Sequence, residues 1–134
     1  MAWTVTESYR EWNNGNRMIT LAMTSDANAS SYDIDTYLSR IKGMFLHSVK
    51  FTPGTGGDAP SGTYDCDFED ADATHILDTD ANSATVPGYV DGSATLNFSP
   101  MIMDSLKVVA ATLGAANKTT VRMLFTNTPV HIAT

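Results

Sequence analysis

Between Thr63 and Glu69 the chain alternates without a break: Tyr64, Cys66 and Phe68 are apolar or aromatic, and Asp65, Asp67 and Glu69 are acidic. A period of two puts the first three on one face of an extended strand and the acids on the other, so this segment reads as a strand buried on one face. Arg17 to Thr24 repeats the pattern, with Ile19, Leu21 and Met23 on one face and Met18, Thr20, Ala22 and Thr24 on the other. Further strands are expected over Met44–Thr52, with Phe45, Val49 and Phe51, and over Ser93–Ser99, with Ala94, Leu96 and Phe98. Thr119–Thr126 places Val121, Met123 and Phe125 inward and Arg122 outward. Asp104–Leu113 is apolar on both faces, as a central, doubly covered strand would be.

Turn chemistry separates these strands. Asn13, Asn14, Gly15 and Asn16 form a strong turn signal, and a long Gly/Pro stretch runs from Pro53 to Gly62. Pro100 ends one strand, and Gly114, Asn117 and Lys118 predict a hairpin. Six or seven short strands with such punctuation imply an all-β fold, an antiparallel β-sandwich or jelly-roll-like domain. Residues 1–16 read as an N-terminal arm, and 17–134 as a single sandwich domain. Asp70–Gly92, rich in small and acidic residues, reads as a loop with a helical turn over Ala73–Leu77. Tyr32–Ile41 reads as extended; the alternative is a short helix presenting Ile34, Leu38 and Ile41, capped by Ser31 or Asp33.

The 134 residues carry 15 acidic against 8 basic side chains, a net charge of −7, which opposes binding to phosphate backbones. No stretch approaches the roughly 18 apolar residues of a membrane helix. Met1–Arg10 contains no apolar run of the kind a secretory leader needs, so the chain is expected to be a soluble protein made in a cytoplasm. Cys66 is the single cysteine. With no partner for a disulfide and aspartates on both sides, it is expected to serve as a small core hydrophobe.

The clusters that could carry chemistry are few. Seven carboxylates fall between Asp65 and Asp80, and Asp65, Asp67, Glu69, Asp70 and Asp72 are the set that could hold calcium. The EF-hand spacing of glycine and glutamate is absent, and alternating acids are also what the wet face of a strand displays. His47, His75 and His131 fall in no metal-ligand or nucleophile–base spacing, and no phosphate-cradling glycine loop exists. No cofactor and no catalytic residue is expected. Candidate partner-binding residues are apolar: Trp3, Tyr9 and Trp12 in the arm, and Met101, Ile102 and Met103 after Pro100. Aromatics and methionine are enriched where proteins meet.

From Phe45 to Thr126 the order of features resembles a known group. A strand with Val49 and Phe51 runs into Pro53 and a glycine-rich loop. Pro60 then precedes Tyr64-Asp65, and an acidic turn through Glu69, Asp70 and Asp72 leads to Ile76-Leu77. Gly92–Phe98 has the form G-x-x-x-L-x-F, and Gly114 and Thr119 lead into Val121–Phe125. This order resembles small β-sandwich accessory proteins of tailed-bacteriophage virions: capsid decoration (cement) proteins, or head–tail and tail accessory proteins. The resemblance implies a structural protein, not an enzyme. It would be assembled into the virion in the host cytoplasm, bound to the major capsid protein or another virion protein, as a homo-oligomer such as a trimer. The alternative function from another class is a calcium-assisted carbohydrate- or ligand-binding module.

Overall fold

The computed structural model describes residues 4–25, 30–62, 64–70, 72, 75–82, 88–91, 101–111 and 117–128; for 75–82, 88–91 and positions 30 and 111 it describes the backbone alone. Among the described residues nine strands form two antiparallel sheets. They are β1 (Thr4–Glu11), β2 (Arg17–Thr24), β3 (Ser30–Asp33), β4 (Phe45–Pro53), β5 (Tyr64–Glu69), β6 (His75–Asn82), β7 (Gly88–Asp91), β8 (Lys107–Ala111) and β9 (Lys118–Thr126). One sheet has the order β1-β2-β9-β4-β7 and the other β3-β8-β5-β6. The fold is an antiparallel β-sandwich.

Alternation decides which side chains fill it. Ile19, Leu21 and Met23 of β2 and Val121, Met123 and Phe125 of β9 are fully buried, facing Tyr64, Cys66 and Phe68 of β5 and Val108 and Ala110 of β8. Phe51 touches the opposite sheet through ring contacts with Tyr64 and Phe68, at 6.3 and 6.4 Å between centroids. Burying such rings contributes about 1.5–3 kcal/mol each relative to exposure. In β4 the two-residue period changes phase. Leu46 pairs with Phe125 but Ser48 pairs with Leu124, so His47 is an extra residue, a β-bulge. The core-facing positions accordingly run Met44 and Leu46 before the bulge and Val49, Phe51 and Pro53 after it, while Ser48 joins Leu124 on the outer face.

Several sequence expectations are corrected. Within the expected arm, Thr4–Glu11 is the edge strand of the five-stranded sheet, paired along its length with β2. Tyr32–Ile41 divides: Ser30–Asp33 is strand, and Leu38–Ile41 is a single helical turn (α1) with no side-chain cap. Asp70–Gly92, read as a loop, contains β6 and β7; each pairs on one side only, so neither needs a two-faced apolar pattern. Glu69, expected outward, is buried at the end of β5, where the pairing with β6 is irregular. In β8 only the face with Val108 and Ala110 is fully buried, Lys107 and Val109 being half-exposed. The predicted hairpin after β8 is not one, because β8 and β9 belong to different sheets. Ser93–Ser99, Pro100 and Gly114 lie outside the described residues.

Two local devices fix the β1 edge. The Trp12–Asn16 turn closes with Trp12 N–H donating to Asn16 O at 2.9 Å and Gly15 N–H donating to Trp12 O at 3.0 Å. Gly15 sits at φ 87°, a conformation that costs a side-chain-bearing residue and leaves glycine free. Further along, the Glu7 carboxylate accepts from the Tyr32 hydroxyl and from the backbone N–H of Asp35 (3.1 Å) and Tyr37 (3.4 Å). This ties the edge strand of one sheet to the β3–α1 segment of the other.

Candidate functional site

The outward face of the five-stranded sheet carries a cleft of about 350 Å³. Register explains its lining. Met18 of β2 pairs with Leu124 of β9, which pairs with Ser48 of β4; in the next row Thr20 pairs with Arg122, which pairs with Lys50. Met18 and Leu124 give an apolar floor, Lys50 and Arg122 a basic side, and Trp12 and the Asn14 and Asn16 amides an end wall. Tyr89 and Asp91 of β7 stand opposite Lys50 and Ser48 in the register. Arg10, outward on β1, places its guanidinium 4.7 Å from the Trp12 ring. Lys50 and Arg122 lie directly opposite each other, an arrangement of like charges that is unfavourable by itself. Arg122 makes one long hydrogen bond, 3.4 Å to the Thr52 hydroxyl, and among the described residues neither cation has a carboxylate partner.

A second surface lies at the end of the sandwich. Asp70, Asp72, Met101, Met103, Asp104 and Ser105 line a cleft of about 230 Å³. The sequence singled out Met101, Ile102 and Met103 together; extended backbone separates them. Ile102 is fully buried and belongs to the core, while Met101 is 46% and Met103 79% exposed. Ile102 is held from both sides, its N–H donating to Met44 O at 2.8 Å and its carbonyl accepting from Gly43 N–H at 2.7 Å. Met101 forms an isolated bridge with Phe45. The two exposed methionines are therefore presented from anchored backbone. The structure also brings Asp70 and Asp72, candidate calcium ligands, beside them.

The remaining candidates scatter. Tyr9 stacks on Tyr37 (5.1 Å, 15°) under the Arg40 guanidinium and donates to Glu11 at 2.8 Å, so it engages its own fold; burial and this bond raise its phenol above the usual value. Trp3 lies outside the described residues. Asp65 and Asp67 are half-buried and Glu69 is buried, along one strand. Among the described residues no three His, Cys, Asp or Glu side chains form a group able to hold a metal ion. Asp70 Oδ1 accepts from the Asp72 backbone N–H at 2.9 Å, which shapes the turn. Cys66 is enclosed, and burial, with Asp67 adding to it, pushes its thiol up. His47 stands at the bulge with Nδ1 buried and without a hydrogen-bond partner. His75 is described by its backbone alone, and His131 falls outside the described residues.

No family model matches this chain, and no curated protein matches it. Among solved structures it is similar to the C-terminal family 22 carbohydrate-binding module of Clostridium thermocellum Xyn10B. The identity is 16%, the TM-score 0.34, and the match covers 92% of this chain and 83% of that one. The sandwich assignment is carried by the strand order and shared core described above.

Proposed function

We propose that this chain is a bacteriophage virion structural protein, a capsid decoration protein that binds and stabilises the major capsid shell by contact and without chemistry. The observation that carries this reading is the pair Met101 and Met103, large apolar side chains held in solvent by a backbone that is itself fastened to Met44 and Gly43. Soft apolar side chains of this kind are enriched at contact surfaces. The virion context rests on the resemblance of the sequence from Phe45 to Thr126 to tailed-bacteriophage accessory proteins. The test is co-sedimentation of the purified chain with shells assembled from the major capsid protein of the phage that encodes it. Saturable pelleting, with a higher melting temperature of the shell, is expected. A chain left in the supernatant at every ratio would overturn the capsid reading.

The Trp12 cleft favours a second reading, a ligand-binding sandwich, because an indole beside amides and cations on rigid strands suits a sugar. A glycan array read alongside the pelleting assay separates the two. A selective sugar signal lost in Trp12→Ala, with no shell binding, would move the assignment to that reading.

A further inference from the structure

We propose that the chain associates with itself head to tail, the Met101–Met103 ridge of one copy seated in the Trp12 cleft of the next. This rests on reading Met101 and Met103 as contact residues, and it names what they contact.

The two surfaces match in polarity and charge. Met101 and Met103 offer exposed apolar side chains, Met103 almost fully so, and Asp70, Asp72 and Asp104, which share their cleft, are acidic. The cleft is concave, floored by Met18 and Leu124, walled by Trp12 and flanked by Lys50 and Arg122. A methionine thioether packs well at the edge of an indole. Carboxylates beside the ridge would supply the counter-charge that the opposed Lys50 and Arg122 lack among the described residues of their own chain. The overall charge makes this pairing more telling. At −7, two copies repel wherever their surfaces are typical, and a local basic cleft is the place where an acidic copy is attracted. Because ridge and cleft are different surfaces, the contact is heterologous; each copy keeps one of each surface to offer, and the series closes into a ring when the rotation between copies permits.

The experiment is light scattering of the full chain, without shells, for the wild type, Met103→Asp, Arg122→Glu and an equimolar mixture of the two variants. The wild type is expected to form an oligomer whose mass falls as salt rises. Each variant alone should associate about tenfold or more weakly, since each loses one central contact. The mixture should recover a one-to-one dimer and go no further, because the cleft of the Met103→Asp copy and the ridge of the Arg122→Glu copy are both intact. A wild-type monomer at all concentrations overturns the inference, as does an oligomer that ignores both substitutions or a mixture that stays monomeric. Shell binding by a wild-type monomer would leave the decoration reading standing while this one fell.

Discussion

Tyr64 joins the two sheets through one hydroxyl, 2.9 Å from that of Thr119, which in turn donates to the Thr52 carbonyl at 3.3 Å. Both side chains are buried, and Tyr64→Phe removes the bond that Thr119 accepts while its bond to Thr52 stays, so a loss of about 0.5–1.5 kcal/mol is expected in urea unfolding. Burial also raises the Tyr64 phenol, with the Thr119 bond opposing the shift, and raises the Cys66 thiol. Both groups are neutral when protonated. Their folded values lie above the ordinary 9.0 for the thiol and 10.0 for the phenol, so the unfolded chain releases its protons first as pH rises. Stability is therefore complete below pH 9.0 and declines through and beyond pH 10.0, which denaturation midpoints across that range would show. Cys66→Ala should delay the onset of the decline; an unchanged onset would assign the effect elsewhere. On the outer face Arg122→Glu replaces a like pair with an opposite one beside Lys50. The free chain should gain about 0.2–1 kcal/mol in urea even as it loses assembly.

At the scale of elements, the bulge at His47 and the Glu7 clamp set how the edges behave. Deleting His47 moves Leu46 and Ser48 by one position and turns the start of β4 over, so cooperative unfolding should be lost; His47→Ala, which keeps the residue count, should cost about 1 kcal/mol or less by the same denaturation assay. Glu7→Gln weakens acceptance from Tyr32, Asp35 and Tyr37, and the amides of β1 should exchange hydrogen faster while those of β9 hold. The strands that were legible in the sequence, β2, β5 and β9, each have neighbours on both sides and one face in the core, the environment that enforces strict alternation. β6 and β7 were not legible because an edge strand is satisfied by pairing on one side, and β6 carries Asp78, Thr79 and Asp80 in its middle. Of the cleft, Trp12 was visible beforehand. Met18 and Leu124 did carry a signal, apolar residues among the outward threonines, but only the pairing of β2 with β9 makes them neighbours. The ridge was seen as three residues, and pleating makes it two.

Over the whole molecule, the first and last described strands flank one strand, β2, which pairs with β1 on one side and β9 on the other. Removing residues 1–16 would strip an edge strand and open β2 to solvent, so such a truncation tests folding before it tests assembly. Assembly is better probed by ionic strength and by the paired charge variants, which leave every strand in place. The cleft has one further property. Trp12, one of two tryptophans in the chain, is half-buried where the ridge of a neighbour would land. With Trp3 replaced by phenylalanine, the remaining indole becomes an optical gauge inside the proposed joint. Its emission should move to shorter wavelength as copies join and return as salt separates them, so the molecule can report its own state of association without a label.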